Sequence, residues 1–192
     1  MEIITSHSAN KNSGREFILW KAYELFLQKG YHSTTMADLG EASGLLKGSM
    51  YHYFTSKEDL MKQVLQKAHL TFKEQVFSLA FHTERSPKES LRVMLEKMEQ
   101  YFFQGAGGCL MGNIGLETAA TPTSFTTVIH SFFEEWIEVF THLFKSAYEV
   151  NQARQLAKQS LADMQGALML SCIFRDKTYF TNCCSKILTL IT

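Results

Sequence analysis

The side chains with the clearest binding chemistry lie in one short stretch, residues 46–57. They are positively charged, hydroxyl-bearing or aromatic, and they are Lys47, Ser49, Tyr51, His52, Tyr53 and Lys57. A lysine can reach a guanine edge or a phosphate, and a tyrosine hydroxyl can contact a phosphate oxygen. Gly48 leaves room for a DNA backbone or base to approach. Together these residues predict contact with double-stranded DNA.

The residue types around this stretch predict a helix-turn-helix. Thr35 is a suitable N-cap for one short helix, with Asp38 three residues later as in a capping box. Gly44 ends that helix, and a second helix is predicted over residues 47–53. Thr35 also offers its N–H and hydroxyl to a phosphate, because helix N-termini attract anions. In such a pair of helices the second one enters the DNA major groove.

Composition limits the class of protein. The chain has 192 residues, and 45% of them are hydrophobic, which is enough for one or two sizeable cores. Two prolines and the lack of alternating β-branched runs predict an all-α protein. Nineteen basic and nineteen acidic side chains give zero net charge. This balance argues against a general nucleic-acid coat, but not against a sequence-specific binder.

Targeting features are not apparent in the sequence. Residues 1–14 lack the apolar segment of a secretory signal, and no apolar window is long enough to span a membrane. We therefore expect a cytoplasmic protein.

Apolar residues spaced three and four positions apart predict the helices that must hold the binding residues. A disordered tail is expected at residues 1–13, followed by a first helix over residues 14–29. Ser56 and Asp59 open a long fourth helix that is predicted to reach residue 81. Further helices are predicted over residues 87–103, 109–117, 125–148, 152–174 and 177–191. The predicted domains are a DNA-binding head at residues 14–60 and a second domain at residues 61–192.

Several motifs resemble those of the TetR (tetracycline-repressor-like) family. In the head they are Arg15-Glu16-Phe17-Ile18-Leu19, Gly30-Tyr31 with Thr34-Thr35, Lys47-Gly48-Ser49-Met50-Tyr51 with Phe54, and Ser56-Lys57-Glu58-Asp59-Leu60. Three features later in the chain resemble a subgroup of these regulators. They are Gly108-Cys109-Leu110-Met111-Gly112-Asn113, Trp136 and Gln165-Gly166-Ala167-Leu168.

The resemblance implies an all-α homodimeric repressor with a ligand-binding and dimerisation domain at residues 61–192. The last two helices of each subunit would form a four-helix interface, and the dimer would bind a pseudo-palindromic operator. A small-molecule effector would release the DNA. The fourth helix would connect the effector pocket to the head, so that its tilt sets the spacing of the two recognition helices.

One position departs from the family pattern. The residue before Lys47 is often Ser or Thr in the family, and here it is Leu46. Leucine has no hydroxyl to cap the helix, but its side chain can contact a thymine methyl group. The predicted DNA-binding residues are therefore Thr35, Leu46, Lys47, Gly48, Ser49, Tyr51, His52, Tyr53 and Lys57.

The second domain is rich in Phe and Met, which predicts an apolar effector pocket with adaptable walls. The candidate lining residues are Phe72, Met94, Met98, Phe102, Met111, Phe125, His130, Phe133, Met164 and Met169. Each of them is also compatible with an ordinary core position, and His130 is the candidate polar group. The effector is expected to be apolar or aromatic.

Two alternative functions remain open from the sequence. Cys109 is predicted at a helix N-terminus, where the helix dipole favours a thiolate, and Cys172 is expected nearby. A redox- or electrophile-sensing repressor is therefore one alternative, although two small buried residues with no redox role are the favoured explanation of both cysteines. The other is an enzyme or ligand carrier with a vestigial head, using Cys109 and His130. We predict no enzyme, cofactor or metal site, since the sequence lacks the corresponding motifs.

Overall fold

The computed structural model describes residues 12–103 and 107–191, and every regular element in those ranges is a helix. This agrees with the predicted all-α class. The elements are α1 (Asn12–Lys29), α2 (Met36–Ala42), α3 (Lys47–Met50), α4 (Lys57–Gln75), a 3-10 helix (Phe77–Phe81), α5 (Pro87–Phe102), α6 (Leu110–Glu117), α7 (Thr126–Phe144), α8 (Val150–Phe174) and α9 (Thr178–Leu188).

The described residues form two compact units. The first contains the residues up to Thr71 together with Leu110–His130. The second contains Phe72–Cys109 and the residues from Ser131 onward. This division differs from the predicted domain boundary after residue 60, because residues 61–71 and the whole of α6 pack with the head. The tail predicted at residues 1–13 lies outside the described residues, except that Asn12 and Ser13 already belong to α1.

Four helices, α3, α4, α7 and α9, end three or more residues earlier than predicted. Helices α7 and α9 end at Phe144 and Leu188 rather than at residues 148 and 191, and tighter turns follow them, with hydrogen bonds from Ser146 N to Leu143 O (3.2 Å) and from Thr189 N to Lys186 O (3.1 Å). Helix α3 stops at Met50 because the following residues turn more tightly, with hydrogen bonds from His52 N to Ser49 O (3.2 Å) and from Tyr53 N to Met50 O (3.0 Å). Helix α4 stops at Gln75, since Val76 leaves the helical region at φ −120° and ψ −59° and starts the 3-10 helix.

The core of the first unit holds α2 and α3 against α1. Ile18 and Phe26 of α1, Leu39 of α2, and the pair Met50 and Phe54 are all buried. A helix as short as α3 cannot form by itself, so its position depends on this packing.

The turn between α2 and α3 is tight enough to require two glycines. Gly44 lies in the left-handed region, at φ +69°. Gly40 O accepts a hydrogen bond from Leu45 N at 2.8 Å. A Cβ on Gly40 would lie only 2.7 Å from Leu45 O. Gly40 is therefore required because there is no space for a side chain, and Gly44 is required because of its backbone conformation.

Aromatic rings fill the core of the second unit. Phe72 lies at the centre of the cluster, with ring centroids 4.9 Å from Phe77 and 5.7 Å from Trp136. Phe102 stacks on Trp136 at 5.8 Å and an interplanar angle of 13°. Large rings contribute most of the buried apolar area in such a core. Helix α9 packs against both α8 and α5.

Among the helices that the structure describes, none combines the length and the hydropathy needed to cross a membrane.

Substituting Gly40→Ala should reduce the free energy of unfolding by about 1–3 kcal/mol, because the new methyl group meets a backbone oxygen that cannot rotate away. Gly48→Ala is the matched control, since nothing lies within 4 Å of its Cβ position. It should be neutral, or stabilising by up to about 1 kcal/mol through helix propensity. Thermal and urea unfolding followed by circular dichroism measure both. Equal stability of the two variants would contradict this view of the turn.

Candidate nucleic-acid interface

The segment that contains α3 has one buried side and one exposed side. Met50 and Phe54 are 0% and 1% exposed, and they hold the segment against the rest of the first unit. The other side chains face away from that core, and all are exposed except Ser49, which is half-buried. We call this side the recognition surface, and it consists of Leu46, Lys47, Gly48, Ser49, Tyr51, His52 and Tyr53. The structure thus brings together seven of the nine predicted DNA-binding residues.

Leu46 and Lys47 lie at the start of α3. Leu46 is the N-cap residue, it makes no side-chain cap hydrogen bond, and its side chain is 81% exposed. The structure therefore confirms that α3 lacks a side-chain N-cap at Leu46, as predicted. Lys47 is exposed and makes no ion pair with the residues that the structure describes. Its ammonium group is available to a partner outside the chain.

Thr35 caps α2 as predicted, but its polar groups are directed at Asp38. The Thr35 hydroxyl accepts from Asp38 N at 3.2 Å, and it donates to the Asp38 carboxylate at 2.6 Å. Thr35 N donates to the same carboxylate at 2.8 Å. Hydrogen bonds from Thr35 lower the pKa of Asp38 below its ordinary value, so the carboxylate stays charged. Both groups that were predicted to bind phosphate are therefore engaged within the chain.

Lys57 also has a different role from the predicted phosphate contact. Its Nζ donates to Tyr31 O at 2.8 Å and to Thr34 O at 2.9 Å, and it lies 4.3 Å from the centre of the Tyr31 ring. Partial burial lowers the pKa of Lys57, and the charge of Glu117 opposes that shift. Lys57 joins the start of α4 to the turn between α1 and α2. Sequence reasoning missed this because its acceptors are backbone carbonyls, which no motif reveals.

The residues predicted to line an effector pocket occupy several environments. Five are fully buried in the second unit: Phe72, Met94, Met98, Phe102 and Met164. Met111 and Phe125 are buried in the first unit, and Phe133 is half-buried. Met169 is 52% exposed, and His130 is exposed. The interior position expected for these last two was wrong. Met169 shares an outward face of α8 with Ile173, and His130 points away from its buried neighbour Ile129.

Two polar groups of the second unit were missed as site residues. Trp136 is fully buried, and its indole Nε1 has no hydrogen-bond acceptor among the residues that the structure describes. The side-chain nitrogen of Gln165 is likewise buried without an acceptor. A buried donor without a partner costs about 1–3 kcal/mol. The sequence marks both residues only as parts of a motif, and it does not show which donors remain unpaired.

A surface pocket of the second unit was also missed, with a volume of about 190 Å³. Its lining residues are Ala80, Phe81, His82, Thr83, Arg85, Pro87, Ser90, His142 and Leu143. Small-molecule sites usually enclose about 300–1,000 Å³, so this pocket is small for an effector.

The cysteine prediction has mixed support. Cys109 is buried just before α6, and Cys172 is exposed on α8. The sulfur of Cys172 lies 3.8 Å from the position that a Cβ on Gly107 would occupy, so it is close to the segment leading to Cys109. Desolvation raises the pKa of Cys172, which disfavours the reactive thiolate. None of the four cysteines forms a disulfide bond in the structure, and a redox role stays a prediction.

Solved structures share this fold. A TetR transcriptional regulator from Legionella pneumophila superposes with a TM-score of 0.87, at 23% identity, over 97% of this chain and 100% of that one. The reduced form of NemR from E. coli superposes with a TM-score of 0.81, at 20% identity, over 94% of this chain and 97% of its own.

Related sequences cover most of the chain. The uncharacterized HTH-type transcriptional regulator YxaF of Bacillus subtilis (strain 168) is 29% identical over 175 residues, which are 88% of this chain and 90% of that protein. The HTH-type transcriptional repressor DhaR of Mycobacterium sp. (strain GP1) is also 29% identical, over 85% of this chain and 84% of that protein.

Two family models match the two parts of the chain. Residues 18–64 match the model for bacterial regulatory proteins of the tetR family, and this range contains the whole recognition surface. Residues 87–185 match the model for the C-terminal domain of LmrA/YxaF-like transcriptional regulators, which alone spans more than half of the chain. The chain therefore belongs to the TetR family of DNA-binding transcriptional regulators, with a C-terminal domain of the LmrA/YxaF type.

Proposed function

We propose that this protein is a homodimeric repressor that binds a pseudo-palindromic operator and releases it when a small molecule binds. The observation that carries the proposal is the recognition surface, where a short helix exposes its polar and aromatic residues and buries Met50 and Phe54. Two such surfaces related by a two-fold axis would reach successive major grooves, about 34–36 Å apart. The related DhaR is named a repressor, which supports repression as the output.

The seven residues of the recognition surface would divide the contacts by chemistry. Lys47 would bind a guanine edge or a phosphate, and the hydroxyls of Tyr51 and Tyr53 would bind phosphates. Ser49 and His52 can hydrogen-bond to either, Gly48 allows close approach, and Leu46 can contact a thymine methyl. We leave Thr35 and Lys57 out of this set because their polar groups already have partners within the chain.

The double substitution Lys47→Ala with Tyr51→Ala should raise the Kd for operator DNA at least roughly a hundredfold, because a charged and a hydroxyl contact are lost together. The operator is obtained by selecting duplexes from a random pool with the wild-type protein. Fluorescence anisotropy then gives the affinities, and sedimentation checks that the dimer remains.

Lys88→Ala is the matched control, since Lys88 is exposed on α5 in the second unit. It should bind as the wild type does. If the double variant binds the operator with unchanged affinity and specificity, the proposed role of the recognition surface in DNA binding is wrong.

An exposed apolar face on α8 and the start of α9 supports dimerisation. Ile173 and Phe174 are 63% and 61% exposed, and Phe174 stacks on Tyr179 with ring centroids 5.6 Å apart. Met169 extends this face by one turn of α8. The position of a Cβ on Gly166 has nothing within 4 Å, so the face continues as a flat strip. Contiguous exposed apolar surface of this kind is typical of protein interfaces. A second copy of the chain is the proposed occupant.

Ile173→Asp should convert the dimer to a monomer, because a carboxylate would be buried without a partner in the interface. Operator binding should weaken in parallel, since a monomer contacts only one half-site. Sedimentation velocity measures the mass. Val150→Asp is the control, because Val150 is also an exposed aliphatic residue of α8 but lies at its opposite end. A dimer that persists with Asp at position 173 would locate the interface elsewhere.

The aromatic core of the second unit supports the effector proposal. A ligand that enters beside Trp136 would meet the rings of Phe72 and Phe102, and it could supply the acceptor that the buried indole N–H lacks. The proposed effector is therefore aromatic or apolar and carries a hydrogen-bond acceptor. It releases DNA only if it binds the DNA-free conformation more tightly than the DNA-bound one.

Trp136→Phe should raise the effector concentration needed for DNA release roughly tenfold, because it keeps an apolar ring but removes the N–H donor. Candidate effectors are aromatic ketones, aldehydes and acids, screened by fluorescence quenching of a Trp20→Phe variant. Trp136 is the only tryptophan left in that variant.

The Trp20→Phe variant is also the control, and it should respond to effector as the wild type does. A Trp136→Phe variant that releases DNA at wild-type effector concentrations would place the effector away from the indole.

A further inference from the structure

Glu117, the last residue of α6, binds the turn that joins α1 to α2. We call residues 30–34 the α1–α2 turn. One oxygen of the Glu117 carboxylate accepts from Tyr31 N at 2.8 Å, and the other accepts from His32 N at 2.6 Å. The two partners are 86 and 85 positions away in the chain, and all three residues belong to the first unit. Hydrogen bonds to a charged acceptor are stronger than neutral ones.

Lys57 binds the carbonyl groups of the same turn. The ammonium donates to Tyr31 O and Thr34 O, and the hydroxyl of Thr34 donates to Gly30 O at 2.6 Å. The ring of Phe125 meets the Tyr31 ring edge-on at 5.3 Å. Glu117 therefore satisfies N–H groups of the turn while Lys57 satisfies its carbonyls.

The close approach of the carboxylate depends on Gly30. The backbone φ of Gly30 is +79°, a value that residues other than glycine rarely adopt. A Cβ at this position would lie 2.8 Å from Glu117 Oε2. Both the conformation of the turn and the space above it suit a carboxylate that arrives from α6.

The α1–α2 turn leads directly into the helix-turn-helix. Residue 34 is followed by Thr35, the N-cap of α2, and α2 packs on α3. We propose that Glu117 is a positioning residue for DNA binding, whose carboxylate holds the α1–α2 turn and through it the orientation of the recognition surface. This proposal rests on the proposed function. It assigns to a residue of the matched C-terminal domain a role in the DNA-binding head.

Glutamine cannot replace this carboxylate. Its amide has a single acceptor oxygen, and its NH₂ group would face a backbone N–H. Aspartate keeps two acceptor oxygens but is shorter by one methylene. The pair of substitutions therefore separates the need for two acceptors from the need for side-chain length.

The experiment compares full-length Glu117→Gln, Glu117→Asp and the control Glu138→Gln, with the duplex selected by the wild type. Glu138 is exposed on α7 in the second unit. Glu117→Gln should raise the Kd roughly tenfold, because binding must now order turn residues that the carboxylate previously held. Glu117→Asp should recover part of the affinity, and Glu138→Gln should match the wild type.

The amide proton chemical shifts of Tyr31 and His32 report directly on their hydrogen bonds to Glu117, and a general loss of stability would not change these two shifts selectively. In Glu117→Gln at least one of the amide protons of Tyr31 and His32 should move upfield, because only one acceptor oxygen remains, while Glu117→Asp should leave at least one of them downfield. Unchanged affinity in folded Glu117→Gln would overturn the proposal. If circular dichroism shows that Glu117→Gln is unfolded, the test uses Glu117→Asp instead. Wild-type DNA affinity of Glu117→Asp, with the amide signals of both Tyr31 and His32 shifted upfield, would overturn the proposal. A wild-type protein that selects no duplex would instead refute the proposed function.

Discussion

The burial of Met50 and Phe54 is the constraint on which the DNA-binding surface depends. Helix α3 has only four residues, and nothing within it can sustain a helix. These two side chains fix which side of the segment faces the core, and they thereby fix which side faces outward. The proposed DNA contacts are exposed, or half-buried in the case of Ser49, because Met50 and Phe54 occupy the side that faces the core. Gly40 permits the close approach of α2 and α3, and Gly44 permits the left-handed conformation of the turn between them, so the surface is defined by packing and turn geometry together.

The zero net charge makes the identity of each positive group important. Several lysines of the head are already paired: Lys57 with backbone carbonyls, Lys29 with Asp38, and Lys21 with Glu24. Lys47 has no such partner among the residues that the structure describes, and it lies at the start of α3. A binder with few free charges gains little from general attraction to DNA, and its affinity should depend only moderately on salt. Specific contacts must then supply more of the binding free energy.

Local patterns in the sequence were sufficient for much of the fold and for the recognition surface. The N-cap at Thr35 and the exposed residues after Leu46 depend on neighbours a few residues away. The ends of α3 and α4 were wrong because hydrogen-bond spacing and a single backbone torsion decide them, and neither has a residue-type signature. The contacts of Lys57 and Glu117 join residues 23 to 86 positions apart, so no spacing rule predicts them. That the indole N–H of Trp136 finds no acceptor among the described residues depends on the three-dimensional packing of rings around it.

The family domain boundary and the packing of the chain do not coincide. Residues 110–130 fall within the match to the C-terminal domain, yet they pack with the head. The chain enters the first unit after Cys109 and leaves it after His130, so both ends of this segment are covalently continuous with the second unit. Any effector that changes the preferred conformation of those flanking residues acts on a segment that contains Glu117. Each hydrogen bond to the Glu117 carboxylate is worth about 1.5–3 kcal/mol. Differential effector binding of the usual size, about 1–3 kcal/mol, is therefore comparable with the loss of one of these two hydrogen bonds.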